Sequence, residues 1–176
     1  MTATESRTIR TLIRYAIVMV FLTLLLGLAY QESAKKLTFT LLPGGSHLEA
    51  VLHLALVHGH FMTVGVLLPL ALAGALVLGR KIGGTEVPGW AHKTLLMGYL
   101  PFAVGTLLLQ LYKGYHILLM ARAGERDFAV IDAAFMGGSH ALRYGVYGVV
   151  HTLMGVTLGV FLVALWRSLK GAPART

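Results

Sequence analysis

The sequence predicts an all-α integral membrane protein, a four-helix bundle formed by a single transmembrane domain over residues 1–176. Hydrophobic residues make up 56% of the 176 residues and charged residues only 12%, and the mean hydropathy is +0.74. Soluble domains carry about 25% charged residues, so this composition indicates a chain that lies in lipid. Four apolar segments also reach the roughly 20 residues that a helix needs to cross a bilayer core of about 30 Å.

The four helices are predicted from these apolar segments, which turn signals and charged residues separate. A Pro-Gly-Gly turn at residues 43–45 precedes the second helix. No small-residue cleavage site follows the first segment, so we expect a retained helix rather than a cleaved signal peptide. Pro69 and Pro101 lie inside apolar segments, where proline frees a backbone carbonyl and is tolerated in membranes. The predicted helices cover residues 15–30, 47–78, 94–120 and 143–166.

The connections between the helices predict an interfacial segment and the orientation of the bundle. Residues 122–142 mix apolar and acidic side chains, which predicts an interfacial helix across the outer mouth. Lys and Arg are retained in cytoplasmic loops, and more of them fall on the side of the termini. We therefore expect both termini in the cytoplasm of a bacterial cell, with the chain in the inner (plasma) membrane. Nine basic residues lie on that side, Arg7, Arg10, Arg14, Arg80, Lys81, Lys93, Arg167, Lys170 and Arg175, against five on the other, Lys35, Lys36, Arg122, Arg126 and Arg143.

Composition and missing motifs exclude several classes of function. The net charge of +8 is interpreted as membrane anchoring, with the lipid bilayer rather than nucleic acid as partner. The absence of cysteine excludes disulfides, thiolate metal sites, c-type haem attachment and cysteine nucleophiles. Neither a Gly-rich phosphate loop nor a paired carboxylate lies in an apolar segment. Whether the protein is an enzyme therefore stays open, with oxidoreductase chemistry as the nearest class.

Eight histidines are the residues that point to chemistry, because ionisable groups inside a membrane are costly and usually functional. Three of them, His47, His92 and His140, lie near predicted helix ends and are interpreted as interfacial. His53 lies in the first turns of a helix that is longer than a bilayer, so its depth is ambiguous. The helical rise of 1.5 Å per residue brings the other four to one level in the outer third of the membrane. These candidate ligands are His58, His60, His116 and His151.

The spacing of these histidines limits which of them can share a ligand. At 100° per residue, His58 and His60 point about 200° apart, so both cannot face one small ligand. His53 and His60 are seven residues apart and lie almost on the same side of the helix. They could serve two sites stacked along the helix, or one could line a site while the other lies at its rim. On the third predicted helix Tyr112 and His116 are four apart. Beside them, Lys113 is expected either to snorkel to the surface or to meet a propionate or a quinone oxygen.

A stripe of small residues surrounds the histidine of the fourth predicted helix. Its members recur every three or four residues and therefore share one face: Tyr144, Gly148, His151, Gly155 and Gly159. Such stripes commonly serve helix packing in membranes, which also makes a homodimer plausible. A flat macrocycle that lies against a helix equally needs missing side chains around its axial ligand. Gly148 and Gly155 are therefore candidate cofactor-binding residues, together with Tyr112.

The ligand type is predicted from what each metal centre requires. Zinc or copper needs several donors within a small radius, and acidic partners for the imidazoles are absent from the spans. A b-type haem needs only one or two axial imidazoles and a wide apolar slot. Haem b is therefore the first expectation and copper or zinc the alternative. His151 with either His58 or His60 is the expected ligand pair, and His116 is the next candidate.

Two stretches of sequence resemble known families. His58 to Gly65, read HGHFMTVG, and Val149 to Gly155, read VVHTLMG, look like the motifs of small four-helix bacterial membrane proteins from a family of unknown function. That family has an H-x-H-x-x-x-x-G motif in its second helix and a G-H motif in its last. Val150 stands here where the second motif has glycine. The resemblance covers roughly Tyr15 to Trp166 and implies the same four-helix fold.

The second resemblance is limited to one helix. His58, Gly59 and Met62 match the H-G-x-x-M element of subunit I of haem–copper oxidases and nitric oxide reductases. In those enzymes the element carries a low-spin haem ligand, so the resemblance implies that His58 binds haem. The double-histidine copper motif of that superfamily is absent. A complete oxidase centre is therefore not expected.

Three functions follow from this sequence. The first is a b-type haem protein for electron transfer, or for handling oxygen or nitric oxide if one iron position stays open. The second is a copper- or zinc-binding or transport protein that uses the same histidines without haem. The third is a structural subunit of a respiratory complex, whose histidines contact lipid, quinone or a respiratory-chain partner.

Overall fold

The computed structural model describes residues 1–35 and 45–170, with side chains described from residue 48 onward in the second range. The regular elements of these ranges are all helical, as the sequence predicts. Four helices are long and apolar enough to cross a membrane, the pattern of a multi-pass membrane protein. Pro43 of the predicted turn, the basic residues Lys36 and Arg175 and the side chain of His47 lie outside the described parts.

The long helices extend beyond their predicted bounds. We label them α1, α2, α3 and α5, and the short helix before the last one α4. Helix α1 is Ala3–Lys35, and α5 is His140–Ser168. Helix α2 comprises Gly45–His60, a π-helical segment Phe61–Leu67 and Leu68–Lys81, and α3 comprises Gly89–Thr94, a π-helical segment Leu95–Tyr99 and Leu100–Arg122.

Capping residues explain why the helices begin where they do. The Thr2 hydroxyl accepts a hydrogen bond from the Glu5 amide (3.3 Å), and the Glu5 carboxylate accepts one from the Thr2 amide (3.0 Å). This reciprocal capping box starts α1 twelve residues before its predicted position, because hydropathy does not detect the arginine-rich first turns. The Ser139 hydroxyl caps α5 by accepting from the Leu142 amide.

The predicted interfacial segment is a helix of two turns, α4 (Phe128–Ala134), followed by a 3₁₀ turn, Phe135–Gly138. The Asp127 carboxylate begins α4 by accepting a hydrogen bond from the Ala129 amide at 2.8 Å. The chain then reverses through Met136, Gly137 and Gly138, all of which have positive φ. Two glycines adopt this backbone without the steric cost that other residues meet.

Each π-helical segment precedes a proline. The Leu68 amide bonds to the Thr63 carbonyl five residues back, as expected for a π-helix. With the same five-residue spacing, the Val64 carbonyl would accept from the amide of residue 69. That residue is Pro69, which has no N–H, so the Val64 carbonyl has no partner within the helix. The Tyr99 hydroxyl of α3 donates a hydrogen bond to this carbonyl across 3.3 Å. The predicted effect of Pro69, a freed carbonyl, is therefore confirmed.

Packing differs between the two ends of the bundle. At the end that holds both described chain termini, here called the terminal side, all four long helices contribute to one apolar core. At the other end, the α4 side, α2 packs on α3 and α4, while α5 packs on a different part of α3. A cleft therefore separates α2 from α5 on the α4 side. Leu12, Leu76, Leu95 and Phe161 represent the four helices in the core of the terminal side.

Candidate functional site

The cleft between α2 and α5 holds a cavity of about 140 Å³. Its lining combines apolar side chains with several hydrogen-bonding groups. Helix α2 contributes two histidines, α3 an amide and an ammonium, and α5 a phenol. The lining residues are His53, Leu56, Val57, His60, Gln110, Lys113 and Tyr147.

Two further cavities adjoin the first. One, of about 190 Å³, lies between α3, α4 and α5 and is lined by Lys113, Asp132, Arg143 and Tyr147 among others. The second, of about 280 Å³, lies between α2, α3 and α4 and is lined by Glu49, His53, Lys113 and Asp132 among others. Lys113 lines all three, so they surround its side chain. Each alone is smaller than the roughly 300–1,000 Å³ of ordinary ligand sites, whereas together they reach that range.

An acidic residue of α4 joins the two cations of this site. The Lys113 ammonium lies 2.9 Å from one carboxylate oxygen of Asp132. The Arg143 guanidinium lies 2.9 Å from the other oxygen. Arg143 also donates to the Asp132 carbonyl at 2.6 Å. The hydrogen bond from Lys113, together with both positive charges, lowers the pKa of Asp132 despite its partial burial. These bonds hold α4 across the mouth of the cleft.

His60 and His151 present the same arrangement on two different helices. His60 Nδ1 donates to the Leu56 carbonyl at 2.7 Å, and His151 Nδ1 donates to the Tyr147 carbonyl at 2.9 Å. Each partner lies one turn earlier in the same helix. A carbonyl only accepts, so the proton of the neutral ring sits on Nδ1 and Nε2 carries a free lone pair. Both side chains are half-buried.

His151 lies next to the cavity rather than in its lining. Its ring stacks on that of Tyr147, with the centroids 5.8 Å apart and the planes 13° from parallel. Tyr147 lines the cavity, and its hydroxyl donates to the Leu109 carbonyl of α3 at 2.7 Å. His151 therefore extends the α5 wall by one turn beyond Tyr147.

The glycine face of α5 is open. A methyl group built on Gly148, Gly155 or Gly159 would meet no atom within 4 Å. Among the described residues, therefore, no neighbouring helix packs against these three glycines. Tyr144, on the same face, is also largely exposed.

The remaining predicted site residues lie elsewhere. His58 points toward α1, where its Nδ1 donates to the Thr23 carbonyl at 3.1 Å, so His58 and His60 do diverge as predicted. His116 Nε2 donates to the Ile131 carbonyl of α4 at 2.9 Å, and its ring contacts Phe135. Tyr112 is 52% exposed and packs on Phe135. None of these three lines the cavity.

Sequence reasoning missed several residues of the site. Gln110 was not singled out, although an amide within an apolar span is a signal of the same kind as a histidine. Asp132 and Arg143 were assigned only to a loop and to a helix end, since nothing local indicates that they meet Lys113. Tyr147 lies one turn before His151 and was omitted from its stripe.

His92 lies in the first turn of α3, near a helix end as predicted, and its interfacial depth stays a prediction. Its side chain is 2% exposed and contacts Phe161 of α5 at the terminal side. Glu5, only 1% exposed, lies close enough to His92 to interact with it electrostatically. A carboxylate oxygen of Glu5 is 3.6 Å from Arg80 Nε. Helix α3 begins five residues before its predicted start, which places His92 inside the packed bundle.

The described residues contain no group of three or more His, Asp or Glu side chains arranged to hold a metal ion. An iron that is already held by a porphyrin needs only one or two such ligands. Comparisons with protein families, with curated proteins and with solved structures gave no match. The two family resemblances therefore stay predictions.

Proposed function

We propose that this chain is a b-type haem protein of the membrane that carries electrons, with His60 and His151 as axial ligands. The observation that carries this proposal is the shared hydrogen-bond arrangement of the two rings. Each keeps Nδ1 on a backbone carbonyl and leaves Nε2 free. Histidines that bind metals are usually fixed in this way, because the bond at one nitrogen sets the tautomer and orients the other.

The surroundings of both rings suit a flat apolar ligand. Gly148 and Gly155 flank His151 and leave open space on its side of α5. On the opposite wall Leu56 and Val57 line the cavity beside His60. A porphyrin in this position would contact glycine backbone and aliphatic side chains, which are common features of haem pockets between helices.

The cations at the mouth are hydrogen-bond donors that suit the two carboxylates of haem. Lys113 and Arg143 both contact Asp132, and Glu49 lines the cavity beside Lys113, so the positive and negative charges here balance. The propionates would lie toward these cations, where charge-assisted hydrogen bonds are about twice as strong as neutral ones.

The number of histidines that bind the haem iron decides whether the protein carries electrons or binds a gas. When bound, haem supplies a one-electron redox centre. Two imidazoles would fill both axial positions, which favours electron transfer over the binding of oxygen or nitric oxide. The protein's own contribution would be to orient the two rings through the Leu56 and Tyr147 carbonyls and to limit water through α4.

The four long helices support a location in a lipid bilayer. We place the terminal side in the cytoplasm of a bacterial cell, because most basic residues of the described chain lie at that end. The candidate haem site then lies near the outer surface of the inner membrane. A donor or acceptor on that side, such as a quinone or a respiratory-chain partner, would exchange the electron.

A copper or zinc site is the competing proposal. It receives less support, because three histidines do not come together in the part of the chain that the structure describes. Asp132 is engaged by two cations rather than by a histidine.

An absorption spectrum of the protein purified in mild detergent tests the proposal, first oxidised and then reduced with dithionite. We expect a Soret band and sharp reduced α and β bands, which His60→Ala and His151→Ala should each abolish. His116→Ala is the matched control and should keep the spectrum, because its ring is held by α4. A colourless preparation after expression with ample haem would overturn the proposal, and zinc and copper analysis of the same sample would test the alternative.

A further inference from the structure

Polar residues recur along α3 through most of its length. His92, Tyr99, Thr106 and Lys113 are spaced by seven residues, and the last three share one side of the α-helix. The π-helical segment Leu95–Tyr99 has a wider turn and sets His92 about a quarter turn away from them. His92, Tyr99 and Thr106 are almost completely buried. Gln110 lies one turn before Lys113 on the side of the cavity. We call these five residues the α3 polar line.

Buried polar atoms without a partner cluster along this line. Unpaired groups of this kind normally cost about 1–3 kcal/mol each, so native structures contain few of them. In the part of the chain that the structure describes, such atoms lie on the polar line or on side chains that face it from α1 and α2. They are Glu5 Oε1, Tyr15 Oη, His53 Nδ1, both ring nitrogens of His92, Thr106 Oγ1 and Gln110 Oε1.

The polar line starts at the terminal side with a buried acid and a buried imidazole. Glu5 keeps one carboxylate oxygen on the Thr2 amide and near Arg80, while Oε1 has no partner among the described residues. His92 is electrostatically coupled to Glu5 and, more weakly, to Glu86. Arg80 is 31% exposed, so the group next to Glu5 reaches the surface. Solvent therefore reaches the residue next to Glu5, and a proton would have to enter from there.

The middle of the polar line consists of hydroxyl groups. Tyr15 of α1 packs on the core that contains Tyr99. The Tyr99 hydroxyl donates to Val64, which leaves its oxygen able to accept a further hydrogen bond. Thr106 lies two turns farther along α3, and its hydroxyl has no partner. Hydroxyl groups can accept one proton while donating another.

At the α4 side the polar line opens into the cavities around Lys113. Gln110, Lys113 and His53 line the first of them. The cavity of about 280 Å³ leads from His53 and Lys113 to Glu49 and Asp132, two carboxylates at the α4 side. Asp132 is about half exposed, so this end also reaches solvent.

We propose that the α3 polar line, completed by buried water, conducts protons between the terminal side and the cleft. A proton taken up at the Glu5 carboxylate passes to a nitrogen of His92, whose other nitrogen releases a proton toward Tyr99. Each hydroxyl and water then accepts one proton and releases another. Tyr99 first turns its O–H away from the Val64 carbonyl, which cannot carry a proton onward, and restores that bond after each transfer. One proton then arrives at His53 for each one taken up. The backbone of α3 need not move.

The spacing requires water between the side chains. Seven residues correspond to about 10 Å along a helix, which is too far for direct transfer. One to three water molecules would bridge each interval, and the partnerless atoms are the hydrogen-bonding groups that such waters need. The inference involves residues other than His60 and His151, so it does not depend on bound haem.

Proton flux into liposomes that contain the purified protein tests this inference. A pH-sensitive dye is trapped inside, and a potassium gradient with valinomycin supplies the driving force. We expect faster acidification than in protein-free liposomes and a return to the protein-free rate in Thr106→Val, which replaces a hydroxyl by a methyl group of similar size. Thr157→Val is the matched control on α5, because its hydroxyl bonds within its own helix, and it should keep the flux of the unaltered protein.

Two further variants test the same proton path if Thr106→Val does not fold. Glu5→Gln retains the hydrogen bond to Thr2 but removes the proton-binding group, and His92→Phe removes the relay. Circular dichroism and a single elution peak confirm folding before each measurement. A flux no greater than that of protein-free liposomes, or an unchanged flux in all folded variants, would overturn the inference. The absorption spectrum is independent of both results, so the haem proposal stands or falls separately.

Discussion

The Lys113 ammonium lies 2.9 Å from the Asp132 carboxylate and thereby joins the third long helix to the short helix α4. Arg143 of α5 holds the other oxygen of the same carboxylate. A residue of the short helix α4 therefore connects two membrane helices at the mouth of the cleft.

Asp132→Asn should loosen α4. The amide cannot pair with two cations, and partly exposed ion pairs of this kind contribute roughly up to 1 kcal/mol each. Hydrogen exchange of the α4 amides should become faster, while that of the apolar core on the terminal side stays unchanged. Glu125→Gln is the control, since Glu125 bonds only to nearby backbone amides.

The docking of α4 should also depend on pH. The pKa of Asp132 is lowered from 3.8 in the folded protein, so the folded state favours the charged carboxylate. Its contribution is therefore complete above about pH 4 and is lost as the pH falls through the lower folded pKa. Hydrogen exchange of α4 measured across this acidic range should accelerate in the unaltered protein. The same acceleration in Asp132→Asn would contradict the assignment to this carboxylate.

Tyr99→Phe should destabilise the bundle by about 1–3 kcal/mol, because it leaves the Val64 carbonyl unpaired where Pro69 cannot donate. Thermal unfolding in detergent measures the effect. Tyr112→Phe makes the same chemical change on an exposed ring and should be neutral. Equal unfolding temperatures for the two variants would show that the freed carbonyl needs no partner.

Gly98→Ala should separate α3 from α5. The added carbon would lie 2.7 Å from Thr157 Cγ2 and 3.1 Å from Thr157 Cβ, and a threonine side chain is stiff. Overpacking costs about 1–3 kcal/mol, which exceeds the gain of about 1 kcal/mol in helix propensity. Gly74→Ala meets no atom within 4 Å and should be neutral or stabilising. Unfolding measurements on both variants compare a close contact with open space.

Gly148→Leu tests the open face of α5 as a ligand surface. A Cβ at this position meets no atom of the described residues within 4 Å, so the unfolding temperature should not fall. If a porphyrin lies on this face, the haem content after purification should decrease. Full haem content in this variant would place the ligand elsewhere.

Residue patterns within one helix were predicted better than contacts between helices. The hydropathy of each span located the four helices, and the angle between His58 and His60 follows from helical geometry alone. Thr2 and Glu5 have the spacing of a capping box, but the prediction from hydropathy does not use it and starts α1 after the basic residues that follow. The local pattern therefore contained the true start of α1.

Contacts between distant residues could not be predicted in the same way. The bond between Lys113 and Asp132 depends on how α4 folds back, which no spacing along the chain encodes. His92 lies in the first turn of α3, close to the predicted end, but its burial depends on contacts with Phe161 and α1 that no local pattern indicates. The depth of a histidine from a helix end is therefore a weaker guide than the helices packed around it.

The lengths of the helices make this protein sensitive to the thickness of its membrane. Helices α1, α2 and α3 have 33 to 34 residues in their apolar spans and measure about 50 Å, against about 30 Å for a bilayer core. Each helix must therefore tilt, or its ends must project into the headgroups. A thin bilayer would place Lys113 and Arg143 among phosphates, and a thick one would bring acyl chains to the rim of the cleft. Lipid chain length would then control how readily an amphiphile enters between α2 and α5.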